Sequence, residues 1–215
     1  MKRGLMLGLI LAAGAALLAQ DERPLSPSGT ASVQVLGQWV KPDRRVSTMT
    51  GEAYQGGKWI DITYGRPLKR GRDAFGAGPT YGKATNAGAP VWRAGANVTT
   101  RLKTEVPLVV DGKSVPAGEY SVLVELTQPA EWTLIVSSWP AQPGPHYDPA
   151  NKAALWGAFG YTPDKDVARA AMKVDVLPYT VEELTWQFLN MTNDGGTIAL
   201  MWDRSMGSVA FKVGG

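Results

Sequence analysis

The residues of this chain best suited to chemistry are cationic and aromatic side chains clustered between positions 62 and 97. The stretch ITYGRPLKRGRDAFG (62–76) places four cationic residues within seven positions, after the glycine that ends an apolar run. The later segments YGK (81–83) and VWRAGAN (91–97) add aromatic rings, two further cations and an amide. Guanidinium groups bind carboxylates, phosphates and sulfates through paired hydrogen bonds. The sequence therefore predicts a site for an anionic small molecule or glycan, formed by Tyr64, Arg66, Lys69, Arg72, Tyr81, Lys83, Trp92, Arg93 and Asn97.

The same residues also have a structural interpretation. An arginine at the end of a strand often pairs with a nearby acid, which here would be Asp61 or Asp73, and stacks on an aromatic ring. Loops rich in arginine and glycine are common in β-proteins. The cluster is therefore either a binding site or a set of contacts that stabilise the fold. The arrangement of the side chains in the fold distinguishes the two.

The sequence provides little for catalysis. It has no cysteine and one histidine, which excludes thiolate nucleophiles, disulfides and any metal site that needs two imidazoles. That histidine, His146, lies in the proline-rich stretch 139–152, and no G-x-S-x-G motif is present. We predict no catalytic residue, no metal and no cofactor. The alternative is a secreted hydrolase that uses an acidic pair or calcium, for which the carboxylates in or beside predicted strands are Asp61, Glu105, Glu125, Glu131 and Asp203.

Calcium ligands are the remaining metal possibility. Asp164 and Asp166 form one pair of oxygen ligands, and Asn193 with Asp194 forms another. A calcium ion takes six to eight oxygens, and neither pair supplies that number. Because Asp and Asn are typical turn residues, we interpret both pairs as solvated turns.

The N-terminus predicts export. Residues 1–20 begin with Lys2 and Arg3, continue as an apolar run, and reach a small residue, Ala19, suited to cleavage before Gln20 or Asp21. The apolar run is shorter than the roughly 20 residues that span a bilayer, so we expect a removed signal peptide and no stable membrane span afterwards. The expected location is periplasmic or extracellular.

Charge excludes two classes of partner. The whole chain has 22 Lys and Arg against 19 Asp and Glu, and removal of residues 1–20 takes away two of the basic residues. A nearly neutral mature protein has no electrostatic reason to bind nucleic acid or an anionic membrane surface. Protein partners are left open.

The candidate residues must be positioned by strands, because hydrophobic side chains mostly alternate. Segments such as 119–127 and 131–137 place apolar residues on one face and polar residues on the other. The predicted organisation is a flexible lead-in at 21–29 and a single domain at 30–213. We predict an all-β fold, an antiparallel β-sandwich or jelly roll of about nine or ten strands with one or two short helices. The other predicted strands are 31–37, 58–65, 97–103, 105–111, 167–176, 184–192, 196–203 and 208–213.

Turn residues separate these segments. Asp111-Gly112 predicts a tight hairpin, and Asn193-Asp194 followed by two glycines predicts another. Short helices are expected at 149–157 and at 180–184, where Thr180 and Glu183 fit a capping box.

The motifs together resemble one bacterial family. ITYGRPLKRGRDAFG, YGK, VWRAGAN, VPAGEYSVLVE, EWTLIVSS, WGAF and LMWDRSMGSVAFKV follow the order found in the family known as domain of unknown function 2911. The resemblance covers roughly residues 28–213 and implies a secreted or periplasmic β-sandwich without an established activity. In this chain residues 84–90 separate YGK from VWR, where the family is expected to join them directly. The matching residues are Tyr64, Arg66, Pro67, Lys69, Arg72, Phe75, Tyr81, Lys83, Trp92, Arg93, Asn97, Tyr120 and Trp132.

These observations favour an exported, non-catalytic β-sandwich that binds an anionic small molecule or glycan. The hydrolase described above is one alternative. A second alternative is a component of an envelope assembly or scaffold.

Overall fold

The computed structural model describes residues 25–42, 49–86, 89–141, 158 and 161–214. Within these residues the regular elements are almost all strands. In chain order they are β1 (Ser28–Val35), β2 (Gln38–Val40), β3 (Ala53–Gln55), β4 (Lys58–Gly65), β5 (Thr100–Thr104), β6 (Leu108–Val110), β7 (Lys113–Val115), β8 (Gly118–Gln128), β9 (Glu131–Ser137), β10 (Asp166–Thr192) and β11 (Gly195–Val213). One four-residue helix, α1 (Lys83–Asn86), and 3₁₀ turns at Gly78–Thr80 and Pro163–Lys165 complete the described part.

Nine of these strands form one antiparallel sheet in the order β1-β4-β5-β8-β9-β10-β11-β6-β7. The short strands β2 and β3 pair separately as a hairpin. Most neighbours are also consecutive in the sequence. Short turns join β6 to β7, β8 to β9 and β10 to β11, whereas long connections join β4 to β5 and β9 to β10. The predicted all-β antiparallel fold is confirmed, in its sandwich-like form.

The long strands β10 and β11 bend, and this folds the sheet into two layers. The amide of Val213, at the end of β11, donates to the carbonyl of Asp194, just before its start, over 2.7 Å. A straight strand of this length would hold its ends roughly 60 Å apart. The left-handed backbone of Asp203 (φ 54°) interrupts the extended geometry near the middle of β11. One continuous core lies between the layers and takes side chains from both.

The alternation of side chains explains which face of each strand is buried. In β9, Trp132, Leu134 and Val136 point into the main core, as the sequence pattern predicts. Leu123 and Ile135 lie on the opposite face of the sheet, yet both are fully buried. They belong to a second, smaller apolar cluster that covers the outer face of β8 and β9. This second cluster explains why Leu123 and Ile135 interrupt the otherwise polar outer face of β8 and β9.

Both predicted hairpin turns are confirmed. Asp111 (φ 48°) and Gly112 (φ 72°) join β6 to β7 with two consecutive positive φ angles, which is the geometry of a type I′ turn. Thr192 pairs with Gly195, so that Asn193 and Asp194 form the tip of the β10–β11 hairpin.

Three sequence predictions about these elements need correction. The helix predicted at 180–184 is wrong, because these residues lie inside β10, with Leu184 fully buried. Two strands were each predicted as two separate segments. Segments 167–176 and 184–192 are parts of one bent strand, β10, and segments 196–203 and 208–213 are parts of another, β11. The helix predicted at 149–157 and the signal peptide predicted at 1–20 lie outside the described residues, so both stay predictions.

Candidate functional site

The basic loop, which we define as residues 65–76, is held in place by β10. The amide of Lys69 donates to the carbonyl of Glu182 over 2.8 Å, and the amide of Leu184 donates to the carbonyl of Pro67 over 3.0 Å. The Glu182 carboxylate also accepts a hydrogen bond from the amide of Arg70. The segment 180–184, which was predicted to be a helix, is therefore extended and forms the edge on which the basic loop docks.

A second loop, the Trp-Arg loop of residues 91–99, packs against the base of the basic loop. The carbonyl of Ala94 accepts hydrogen bonds from the Trp186 indole at 2.9 Å and the Thr100 hydroxyl at 3.2 Å. A Cβ atom at Gly65 would lie only 2.0 Å from the carbonyl oxygen of Ala96. The two loops meet in direct backbone contact, and only glycine allows this approach.

The two loops form a pocket with a volume of about 330 Å³. Its cationic lining residues are Lys69 and Arg72 from the basic loop and Arg93 from the Trp-Arg loop. Trp92 and Trp202 supply aromatic lining. This volume lies at the lower end of the range for small-molecule sites.

Arg93 provides a buried positive charge at this pocket. The residue is 5% exposed, and its Nε donates to the carbonyl of Gly95 over 3.1 Å. Burial lowers the pKa of the Arg93 guanidinium to about 10, because loss of water disfavours the charged form. The group still stays protonated at neutral pH. A cation removed from water attracts an anion more strongly than the same group in bulk solvent.

Arg72 and Lys69 are held in defined positions at the same pocket. The guanidinium of Arg72, which is exposed, donates from Nε to the carbonyl of Lys69 at 2.9 Å and from Nη2 to that of Leu68 at 2.6 Å. Lys69 Nζ lies 3.3 Å from the carboxylate of Asp203, and both side chains are 19% exposed. Arg72 is therefore oriented at the rim, whereas the charge of Lys69 is already balanced.

The aromatic wall of the pocket is one side of a larger ring cluster. Phe75 lies at its centre, with ring centroids 5.0 Å from Trp132, 5.9 Å from Trp202, 6.0 Å from Trp92 and 6.1 Å from Tyr81. The rings of Trp92 and Trp202 are stacked, 6.1 Å apart at 19°. Since both indoles are buried, the wall is rigid and connects the pocket to the main core.

The structure brings together five of the nine predicted site residues. The pocket is lined by Lys69, Arg72, Trp92, Arg93 and Asn97. The amide nitrogen of Asn97 donates to the carbonyl of Ser26 over 2.9 Å, which brings residue 26 to the pocket edge.

The other four predicted residues do not line this pocket. Tyr64 is buried, with its hydroxyl 3.5 Å from the carbonyl of Trp186. Tyr81 accepts a hydrogen bond from the Trp132 indole at 2.7 Å. Desolvation raises the pKa of both tyrosines, so their hydroxyl groups stay neutral. Arg66 pairs with Glu183 at 3.2 Å, and Lys83 is exposed at the start of α1.

The acids that pair with the basic loop differ from those expected. Asp61 and Asp73 were the neighbouring candidates, but Arg66 pairs with Glu183 and Lys69 pairs with Asp203. Asp73 instead accepts hydrogen bonds from the backbone amides of residues 75 and 76, at 3.2 Å and 2.9 Å. Long strands from the end of the chain supply the acids, and this cannot be read from local sequence.

Sequence reasoning missed several residues at this site. Trp202 lines the pocket from β11, and its alternation with Ile198 and Leu200 indicated only a core position. Ala84 and Thr85 also line the pocket. They belong to the segment 84–90, which separates YGK from VWR at the point where the family is expected to join these two motifs directly. The presence of this extra segment was the one feature of the sequence that could have indicated its contribution to the pocket.

Two of the carboxylates considered for catalysis have other protein partners. Glu105 accepts from the backbone of Trp59 at 2.8 Å, whereas Glu125 pairs with Arg169 at 2.5 Å. Within the described ranges no group of three acidic, histidine or cysteine side chains is placed to hold a metal ion. His146 lies outside these ranges.

The two pairs that we considered as calcium ligands and interpreted as turns both include residues with protein partners. Asp166 accepts hydrogen bonds from Tyr161 at 2.7 Å and Arg169 at 2.9 Å. Asn193 accepts from Tyr54 at 2.5 Å, and Asp194 accepts from the Thr192 hydroxyl at 2.7 Å. These contacts stabilise turns and strand ends.

No helix in the described part of the chain has the length and apolar character to cross a bilayer.

Comparison with known proteins identifies one related family. The sequence profile of a family described as a protein of unknown function, DUF2911, matches residues 46–211. No curated protein and no solved structure matches the chain. The matched range includes both loops, together with β10 and nearly all of β11.

Proposed function

We propose that this chain, which belongs to the DUF2911 family, is an exported, non-catalytic β-sandwich protein that binds a small anion. The observation that carries this proposal is the convergence of Lys69, Arg72 and Arg93 on one pocket beside two stacked indoles. The cations come from two separate loops, and such an arrangement suits a guest that one guanidinium or ammonium alone would hold weakly.

Backbone strain supports a functional role for the Trp-Arg loop. Ala94 is fully buried and has φ 50°, and Asn97 has φ 65°. A left-handed conformation costs an alanine about 1 kcal/mol or more. Strained residues of this kind concentrate at binding sites, where the surrounding fold holds them in place.

The acid content of the pocket supports binding rather than hydrolysis. Asp73 is the only carboxylate among the lining residues that the structure describes, and two backbone amides hold it. A glycosidase mechanism needs two carboxyl groups that face each other across the scissile bond. The pocket therefore suits capture of an anion without its chemical conversion.

Export is supported by the basic and apolar pattern of residues 1–20. Expression of the full chain in a bacterium, followed by N-terminal sequencing of the mature protein, tests this part. We expect the mature chain to begin at Gln20 or Asp21. An intact Met1 on the recovered protein would contradict export by cleavage.

Binding is tested by thermal unfolding in a panel of sodium salts: acetate, benzoate, sulfate, phosphate and glucuronate. A ligand that binds only the folded protein raises its melting temperature as occupancy grows. We expect at least one anion to raise the melting temperature in a saturable way. Neutral analogues such as benzyl alcohol should have no effect.

A matched pair of variants locates the response. Arg93→Met should abolish the stabilisation by the anion. Arg101→Met is the control, because Arg101 also has a pKa lowered by burial but bonds Ser121 on the sheet, away from the pocket lining. It should keep the full response. An absence of stabilisation by every anion, or equal loss in both variants, would overturn the proposal.

A further inference from the structure

We propose that an exposed strip of side chains on the β1–β4 strand pair and the β2–β3 hairpin binds an extended, neutral polysaccharide. This aromatic strip consists of Trp39, Tyr54, Gln34 and Trp59, in that order along the two strand pairs. None of its residues lines the anion pocket. The inference is therefore independent of the function proposed above and assigns a second binding site with a different class of ligand.

Two indole rings of the aromatic strip are open to solvent. Trp39 is 65% exposed and Trp59 is 44% exposed, although tryptophan is highly buried on average in folded proteins. The other tryptophans that the structure describes are all buried, namely Trp92, Trp132, Trp139, Trp186 and Trp202. Core packing therefore accounts for those five rings but not for the two exposed ones, and exposed apolar surface of this kind marks binding sites.

The strand register places the strip on one face. Trp39 is paired with Tyr54 in the β2–β3 hairpin. Gln34 is paired with Trp59 between β1 and β4, and directly opposite residues share a face. A Cβ atom at Gly57 would lie 2.8 Å from Tyr54 Cε1 and 3.1 Å from Gln34 Cβ. Both pairs therefore project from the same side of the strands.

Hydrogen bonds fix the Tyr54 ring within the strip. Its hydroxyl donates to Asn193 Oδ1 at 2.5 Å and accepts from the amide of Gly37 at 2.8 Å. The ring contacts that of Trp39 edge-on, with centroids 5.3 Å apart at 62°. Because the tip of the β10–β11 hairpin anchors this ring, the aromatic surface is preorganised, and less conformational entropy is lost when a ligand binds.

The strip is linear and longer than one sugar ring. Trp39 follows Gln34 by five residues, which corresponds to about 17 Å of fully extended chain. The left-handed residues Leu36 (φ 59°) and Gly56 (φ 72°) interrupt the two strands opposite each other and shorten this span. A β-1,4-linked polysaccharide runs as a straight ribbon and can place successive sugars along such a line, whereas a helical chain leaves it. The apolar C–H faces of these sugars can stack on the aromatic rings.

Polar side chains beside Trp59 can bind sugar hydroxyl groups. Ser32 and Asp61 are directly opposite each other, two residues from Gln34 and Trp59, and so lie on the same face. Ser32 is exposed, whereas Gln34 and Asp61 are half-buried. A hydroxyl, an amide and a carboxylate together supply both donors and acceptors for the hydroxyl groups of a glycan.

Charge favours a neutral glycan over an acidic one. Asp61 lies on the strip face next to Trp59, and Glu105 accepts a hydrogen bond from the Trp59 amide at 2.8 Å. The cation opposite Asp61 in the register, Lys103, pairs with Glu119 over 3.4 Å. An acidic polymer would meet these carboxylates and be repelled. Neutral hydroxyl groups can instead donate to them.

The test measures binding of six probes to the purified protein by isothermal titration calorimetry. Three are neutral β-1,4-linked hexasaccharides: cellohexaose, mannohexaose and chitohexaose. The others are glucose, the helical maltohexaose, and a β-1,4-linked mannuronate hexamer, which is the acidic counterpart of mannohexaose. We expect saturable binding of at least one neutral β-1,4-linked hexasaccharide, about tenfold or more tighter than maltohexaose or the mannuronate hexamer. Glucose should show no measurable binding.

Variants of the exposed rings locate the binding. Trp39→Ala and Trp59→Ala should each weaken the tightest hexasaccharide about tenfold. Tyr179→Ala is the matched control, because it removes a 59% exposed aromatic ring on β10, outside the strip, and should leave the affinity unchanged. Asp61→Asn keeps hydrogen-bonding groups but removes the charge, so it should raise the affinity for the mannuronate hexamer about twofold to fivefold. Circular dichroism melting confirms that each variant is folded.

Each contrary result overturns a stated part of the proposal. If none of the three neutral β-1,4-linked hexasaccharides binds, or if binding persists unchanged in both folded tryptophan variants, the glycan site is wrong. Equal affinity for maltohexaose would overturn the extended chain, and equal affinity for the mannuronate hexamer would overturn the charge rule. A dimer in sedimentation velocity that Trp39→Ala disrupts and no glycan disperses would assign the strip to self-association instead. Arg93→Met should keep glycan binding, which separates failure of this site from failure of the anion pocket.

Discussion

The ammonium group of Lys69 lies 3.3 Å from the carboxylate of Asp203, which ties the basic loop to the bend of β11. The two residues are far apart in the sequence and meet only because β10 and β11 fold back over the sheet. The same bend brings Trp202 to the pocket wall. The pocket is therefore a product of the tertiary fold: its cations come from the two loops, and β11 supplies the Trp202 ring together with the Asp203 partner of Lys69.

The contact between the loops at Gly65 predicts a sensitive position. Gly65→Ala would place a Cβ atom 2.0 Å from the carbonyl oxygen of Ala96, so the Trp-Arg loop must move. Overpacking of this kind costs about 1–3 kcal/mol. We expect this loss in the free energy of unfolding, measured with urea, together with loss of benzoate binding.

Gly112→Ala provides the control for that variant. Gly112 has φ 72° and nothing within 4 Å of an added Cβ, in the β6–β7 hairpin. The left-handed conformation alone should cost about 1 kcal/mol and leave benzoate binding intact. Retained binding in Gly65→Ala would show that the loop contact does not shape the pocket.

We expect Tyr81 to stabilise the fold rather than to contact the ligand. Its hydroxyl accepts the indole N–H of Trp132 at 2.7 Å, and Trp132 is 1% exposed. Tyr81→Phe leaves that buried donor without its acceptor, which costs about 1–3 kcal/mol. Chemical denaturation should show this loss, while the affinity for benzoate stays within about twofold because the hydroxyl is outside the pocket. Tyr179→Phe, at a 59% exposed position, should leave stability unchanged. A large loss of benzoate affinity in Tyr81→Phe would show that Tyr81 takes part in ligand binding.

The ion pair between Arg66 and Glu183 should contribute little to stability. The pair spans 3.2 Å, but its side chains are 35% and 37% exposed, and pairs so accessible to water contribute about 0–1 kcal/mol. A double-mutant cycle of Arg66→Met and Glu183→Gln measures the coupling. We expect a coupling energy within that range and unchanged benzoate affinity. A coupling above about 2 kcal/mol would show that the pair is a main support of the basic loop.

The pH dependence of binding follows from Arg93. Its pKa is lowered to about 10, so its charge is present below that value and is lost as the pH rises through it. A ligand carboxylate is ionised above about pH 6. The dissociation constant for benzoate should be constant from about pH 6 to 9 and increase above 10. A transition near pH 6.5 would contradict this account, because it would implicate His146, the one histidine of the chain.

The fold was largely predictable because half-buried strands have a period of two. The bounds of β4 and β9 coincide with the predicted segments 58–65 and 131–137. The helix at 180–184 was wrong because local capping signals do not show long-range contacts. Glu182 and Leu184 hydrogen-bond to the basic loop instead of completing a helical turn.

The site was predictable only in part. Residue type identified the cationic loops, and five of the nine predicted residues line the pocket. The sequence did not show that Arg66 turns towards Glu183 or that Trp202 closes the wall. Both depend on the bends in β10 and β11, which arise from register shifts and from single positive φ angles such as that of Asp203.

The most direct measurement of the central claim is an NMR titration that observes the arginine Nε–H and tryptophan indole signals while benzoate is added. The account predicts saturable shifts for Arg93, Arg72 and the Trp202 indole, and no shift for Arg101. Uniform small shifts, or shifts confined to residues outside the pocket, would contradict the claim that this pocket binds an anion.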